Sequence, residues 1–155
     1  MLLIFLDTEF TEFDNPELIS LGLASLNGKE FYAEVPFTCS SCSQFVLDVV
    51  LPLLSDTYQV PTDGLHKNIL KWLDSIREDN PVIVCFDSIY DKNLFLRLFP
   101  TNLPSFIILR EIGYRQINGL MRSDFYEKNN LSEHHALNDA MALRYAFRGW
   151  IRAVR

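Results

Sequence analysis

Two carboxylates stand at the end of the most apolar stretch of this chain. Residues 5–13 read "FLDTEFTEF", and the overlapping "LLIFL" (2–6) has the make-up of a strand buried on both faces. Along a strand, side chains of one parity share a face, so Leu3, Phe5, Asp7 and Glu9 project together. The Cα atoms of Asp7 and Glu9 then lie roughly 7 Å apart, a spacing suited to carboxylates that share a metal cluster. Alone, such a pair is more simply a strand leaving the core, because so short a motif recurs by chance.

Two further aspartates change that balance. In a helix beginning near Tyr90, Asp91 stands at i to Leu94, Phe95 and Leu98, so it lies on the apolar stripe. In a long last helix, about 133–153, Asp139 lines up with Leu143, Ala146, Phe147, Trp150 and Val154, while Arg144, Arg148, Arg152 and Arg155 take the other side. The helix dipole explains an aspartate in a first turn, but not one that faces inward. A buried carboxylate needs a proton, a cation or a metal. Four at element ends, all facing inward, are most economically one divalent-metal site, and oxygen-only donors favour Mg²⁺ or Mn²⁺ over zinc. "EHHALNDA" adds two histidines. His135, at i−4, shares the face of Asp139; His134 falls on the entering loop or first turn. Paired histidines near a helix start are often only polar surface or capping groups, but beside a metal site one becomes a candidate general base.

The elements that must hold these groups follow from periodicity. Strand one covers about 2–9. "LISLGLASL" (18–26) alternates large and small residues, Asn27-Gly28 signals a two-residue hairpin, and "KEFYAEV" (29–35) alternates again. Helices are expected over about 43–54, 64–78 and 90–99, with strands at "PVIVCF" (81–86) and "SFIILREI" (105–112). Residues 113–131 show no clear period. An antiparallel three-strand meander followed by alternating helix and strand predicts an α/β fold on a mixed central sheet.

The totals set the limits. A chain of 155 residues with 48% apolar and 13% aromatic side chains suits a single domain, 1–155, with a proper core. No apolar run approaches the roughly 20 residues of a membrane helix, and "MLLIFL" lacks the basic flank of a signal peptide, so no membrane partner and a cytoplasmic location are expected. The net charge of −6 is uneven. Residues 1–90 carry 4 Lys/Arg against 14 Asp/Glu, and residues 91–155 carry 10 against 6. An acidic half could hold cations and a basic half phosphates, although uneven solvated surface explains the same numbers. Cys39 and Cys42 in "CSSC" have the spacing of a redox pair, but a zinc site would need two more ligands and Cys85 does not complete one. Ordinary reduced thiols are the simpler reading.

Taken together, the residues resemble the DEDD superfamily of 3′–5′ exonucleases, in its DEDDh branch. "DTE" (Asp7, Glu9) is similar to the first motif, "FDSIYDKNLF" to the second with Tyr90-Asp91 at its aromatic-Asp position, and "HHALNDA" to the third with His134 and Asp139. The short chain and "DTEF" look most like the small bacterial and phage exoribonucleases, and like oligoribonuclease and RNase T. The resemblance implies an RNase H-like fold, two Mg²⁺ or Mn²⁺ ions on Asp7, Glu9, Asp91 and Asp139, and His134 as general base. It implies release of nucleoside 5′-monophosphates from the 3′ end of single-stranded RNA, contact of Phe10 and Thr11 with the terminal nucleotide, and a homodimer. Asp87 stands where many relatives carry Asn, which makes it a rival to Asp91. The alternatives are a DNA 3′–5′ exonuclease and a non-catalytic nucleic-acid-binding module on the same fold.

Overall fold

The structure is a computed structural model that describes residues 1–149. Five strands form one mixed sheet: β1 (Leu2–Phe10), β2 (Leu18–Ser25), β3 (Glu30–Glu34), β4 (Val82–Phe86) and β5 (Ile107–Glu111). Their order is β3-β2-β1-β4-β5. β1, β2 and β3 pair antiparallel, while β4 and β5 run parallel to β1. Four helices flank the sheet: α1 (Leu65–Ile76), α2 (Ile89–Arg97), α3 (Gly119–Asn129) and α4 (Ala136–Ala146). This is the expected α/β class, consistent with an RNase H-like arrangement. Among the described residues, no helix is long and apolar enough to cross a membrane.

β1 is apolar on both parities because it is central and covered on both sides. Ile4 and Leu6 join the larger core beneath α1 and α2, with Leu65, Ile69, Leu73, Leu94 and Phe95. Phe5 turns the other way, to Leu143 of α4 and to Phe147, whose ring meets it edge-on at 5.1 Å. Asp7 and Glu9 continue the Phe5 parity, so they emerge on the α4 side.

That side is shaped by small residues of β2. Asp7 pairs with Gly22, and Glu9 with Ser20. A Cβ on Gly22 would lie 2.3 Å from the carbonyl oxygen of Ala136 and 2.5 Å from the Cα of Leu137. Only glycine lets the first turn of α4 rest on the sheet beside Asp7. The register then shifts between Glu9 and Phe10, a bulge of the kind that re-aims side chains at a strand end.

Two elements differ from expectation. Residues 43–54 are not a regular α-helix: a π-helical turn, Val46–Val50, passes into a tight 3₁₀ turn, Leu51–Leu53. Pro52 has no N–H to continue a regular ladder, which accounts for the change of pitch. The last helix is also shorter than 133–153. It starts at Ala136 because His134 takes a left-handed backbone (φ 62°). It stops at Ala146, where Phe147 becomes extended and bridges to Ile117. The carbonyls of Ala146 and Gln116 accept from Asn118 N and Arg148 N at 2.9 and 2.7 Å, so the chain is tied to the α3 entry instead. Trp150, Arg152, Val154 and Arg155 lie outside the described residues. The unassigned stretch contains α3, capped by Asn118, whose side chain accepts from Met121 N at 3.0 Å.

Gly22→Ala is therefore expected to cost about 3 kcal/mol or more, because the clash is with backbone that cannot step aside. Gly119, with open space around its Cβ position, should accept alanine at no cost. Denaturant unfolding of the two variants compares them; equal midpoints would show that α4 does not depend on the contact.

Candidate metal centre

The C-terminal end of β1, the end of β4, the first turns of α2 and α4, and α3 enclose a cavity of about 510 Å³. Asp7, Glu9, Asp91, Asp139 and His134 all line it. A position beyond the carboxyl ends of parallel strands is where open α/β sheets collect their ligands. The potential ligand atoms fall into two groups, Asp7 with Asp87 and Asp91, and Glu9 with His134 and Asp139. Within each group these atoms lie no more than 4.8 Å apart, against roughly 4.2 Å across an octahedral Mg²⁺ shell. The donor set suits a hard divalent cation: carboxylates, with a single imidazole in one group.

Each carboxylate is held by its own element. Asp91, in the first turn of α2 behind the Ser88 cap, accepts from the Thr8 hydroxyl at 2.6 Å and the Thr8 amide at 3.0 Å. This ties α2 across to β1. Asp139 accepts from the Tyr126 hydroxyl at 2.8 Å and from His134 N at 3.1 Å, the second bond fixing the loop that carries His134. Asp87 pairs with Arg122 at 2.8 Å. Sequence alone made Asp87 a rival to Asp91; in space the two are neighbours, and only Asp91 is buried.

The two histidines separate. His134 lines the cavity, its ring edge-on to Phe45 at 4.9 Å. His135 turns away and stacks on Tyr32 at 4.5 Å, with its Nδ1 buried and without a hydrogen-bond partner. Burial lowers its pKa, partly opposed by the charges of Glu34 and Asp139. Phe10 lines the cavity and stacks on Tyr90 at 5.2 Å, with Phe13 edge-on to both. Thr11, also expected to contact the nucleotide, does not line the cavity. It is fully buried, and its hydroxyl accepts from Glu17 N at 3.1 Å to close the 11–17 loop. Glu12 also organises that loop, accepting from Asp14 N and Asn15 N.

Among the lining residues that sequence reasoning missed are Arg122, Phe13, Phe45 and Ser43. Arg122 lay in the stretch without a period. Phe13 and Phe45 are 68% and 50% exposed, and no local pattern distinguishes an aromatic kept at a cavity from one destined for the core. All three cysteines are free, and neither acidic group includes one. Cys39 and Cys42 flank a 3₁₀ turn, whereas burial pushes the Cys85 thiol up to about 12.

Crowded carboxyls resist ionising together. Burial, then the charges of Asp91, Asp139, Glu9 and Asp87, raise Asp7 well above the usual range. Burial, with Asp139 and Asp91, pushes Glu9 up to about 8. Asp91 rises to about 7 through burial, despite the opposing bonds from Thr8. Burial raises Asp139 as well, opposed by Tyr126, His134 N and Arg122, which all favour its anion.

These folded-state pKa values exceed unfolded ones, so the folded protein binds more protons in the window between them. Its stability should fall as pH rises through about 7 and 8 when no divalent cation is present. Millimolar Mn²⁺ should raise the melting temperature, and by more at about pH 8.5 than at about pH 5.5, because ligands must lose their protons to bind. Differential scanning fluorimetry at several pH values reads both effects. A cation shift equal at the two pH values would refute the acidic groups as the binding site.

No protein-family model matches the chain, and a search of curated proteins gives no significant relative, so the reading of this site rests on its own geometry and on the motifs quoted above.

Proposed function

We propose that the chain is a metal-dependent 3′–5′ exoribonuclease of the DEDDh type that releases nucleoside 5′-monophosphates. The observation that carries this reading is the convergence of Asp7 and Glu9 from β1, Asp91 from α2, and Asp139 and His134 from α4 and the loop that enters it, on one cavity. Asp7 and Asp91 would hold one Mg²⁺ or Mn²⁺, and Glu9 and Asp139 the other. When bound, the ions acidify the attacking water and offset charge on the phosphodiester and the leaving 3′ oxygen.

The protein's own groups supply the rest. His134 faces the cavity and is the base that takes the proton of the attacking water, its backbone held by the carboxylate of Asp139. Phe10, Phe13 and Phe45 offer aromatic faces in the same cavity, the means by which proteins hold unstacked bases without reading their sequence. Removal from the 3′ end, and RNA as substrate, follow from the DEDDh resemblance and its small exoribonuclease branch.

The test is end-labelled single-stranded RNA with Mg²⁺ or Mn²⁺, run beside the matching DNA. RNA should shorten from its 3′ end to 5′-monophosphates, and EDTA should stop it. Asp7→Ala and His134→Ala should each lower the rate at least 100-fold, about the range of a lost general base. Faster shortening of DNA would make the enzyme a DNA exonuclease. RNA binding without any shortening would make it a binding module. Retained activity in Asp91→Ala together with loss in Asp87→Ala would reverse the assignment of the second-motif ligand.

A further inference from the structure

Helix α3 carries two side chains, one turn apart, that each grip a carboxylate of the cavity. Arg122 donates to Asp87 Oδ2 at 2.8 Å, and the Tyr126 hydroxyl donates to Asp139 Oδ1 at 2.8 Å. At i and i+4 the two share a helix face. The guanidinium of Arg122 also lies beside the Tyr126 hydroxyl, so Asp87, Arg122, Tyr126 and Asp139 form one polar chain. Its ends belong to different acidic groups: Asp87 sits with Asp7 and Asp91, Asp139 with Glu9 and His134. α3 thus bridges the two groups, although no motif of the sequence includes it.

We propose that Arg122 and Tyr126 are positioning residues for the two cation sites, selecting which carboxylate oxygens face the cavity; this rests on the metal-dependent reading above. The two act with opposite sign. Tyr126 fixes one oxygen of Asp139 while His134 N fixes the other, which leaves the free lone pairs in a set direction. Without the hydroxyl, the carboxylate is free to rotate and its cation site loosens. Arg122 does the reverse for Asp87: the ion pair withholds that carboxylate from a cation, leaving Asp91, fixed by Thr8, to act with Asp7. Without the guanidinium, a third carboxylate is released and a positive charge leaves the cavity. A cation then binds more tightly but in another geometry. Neither effect requires α3 to move, because Phe125 and the Tyr126 ring pack against Ala142, Leu131 and Met141.

Mn²⁺ binding to the full chain, followed by the electron paramagnetic resonance of the free ion, tests this on wild type, Tyr126→Phe, Arg122→Gln and the double variant Arg122→Gln/Asp87→Asn. Thermal unfolding in EDTA controls for the fold. Tyr126→Phe should weaken at least one Mn²⁺ by about tenfold, the usual effect of losing a group that orients a ligand. Arg122→Gln should tighten Mn²⁺ binding by roughly tenfold, as expected for one unit charge removed a few ångström away, while slowing RNA turnover at saturating Mn²⁺. Adding Asp87→Asn should return the affinity toward wild type, a coupling that general destabilisation would not produce. Unchanged affinity in both single variants, or weakening in both, overturns the proposal. If Mn²⁺ binds and the variants shift as stated but no RNA is cut, the exonuclease reading fails and the positioning role stands. If the wild type binds no Mn²⁺, both fail.

Discussion

Repulsion among buried carboxylates is the constraint on which this structure turns. Asp7, Asp91 and Asp139 are buried together with a half-buried Glu9; the charges of Asp91, Asp139 and Glu9 raise Asp7, and those of Asp139 and Asp91 raise Glu9. Such a set gains nothing from folding unless the scaffold makes up the cost elsewhere. Here the cost is met by apolar elements on both sides. β1 delivers Asp7 and Glu9 from between two cores, α2 delivers Asp91 on the same stripe as Leu94 and Phe95, and α4 delivers Asp139 ahead of Leu143. The carboxylates stand where those apolar faces end, so packing that is indifferent to charge fixes the spacing of the charges.

Packing sets where the backbones lie; donors set how the carboxylates turn. Thr8 does this for Asp91, Tyr126 and His134 N for Asp139, and Arg122 for Asp87. Hydrogen bonds to a carboxylate favour its anion, and so oppose the effect of burial at Asp91 and Asp139. Glu9, without such donors, is pushed up to about 8 by burial and by neighbouring charge. The arrangement combines acids whose anions are partly supported by donors with acids, Asp7 and Glu9, that burial and neighbouring charge hold toward the protonated form. Their joint preference for a divalent ion then depends on pH in a way that a surface cluster would not show.

Much of this was legible in the sequence because the relevant signals are local. The alternation of Ile19, Leu21 and Leu23 with Ser20, Gly22 and Ala24 marks a strand with one crowded face, and Asn27-Gly28 marks its hairpin. Asp91 could be placed by its spacing from Leu94, Phe95 and Leu98 alone. The failures were of longer range. The end of α4 at Ala146 is decided by backbone bonds to residues 116–118, not by any helix breaker at that point. α3 carries its apolar residues without a helical period, since Leu120 is 82% exposed while Phe125 and Tyr126 are buried. Arg122 and Tyr126 were consequently invisible. Thr11 was picked out because it follows the first motif of the resemblance; in space a bulge and a closed loop turn its hydroxyl inward, away from the cavity.

The uneven charge of the chain also reads differently in three dimensions. The division into an acidic first half and a basic second half suggested cations on one side and phosphates on the other. The cavity instead draws acids from both halves, with Asp7, Glu9 and Asp87 from the first and Asp91 and Asp139 from the second. Among the described residues, a single arginine lines it. Arg144 is engaged with Glu30 at 2.8 Å and with the Ser25 carbonyl, Arg97 reaches the Pro16 carbonyl, and Arg122, at the cavity, is paired with Asp87. A polyanion approaching this cavity meets a cluster of acids whose lining arginine, Arg122, is already committed to Asp87. On the proposed reading, most of the compensation must therefore come from the divalent ions, and the acidity of the site is what makes cation binding a precondition for nucleic-acid binding.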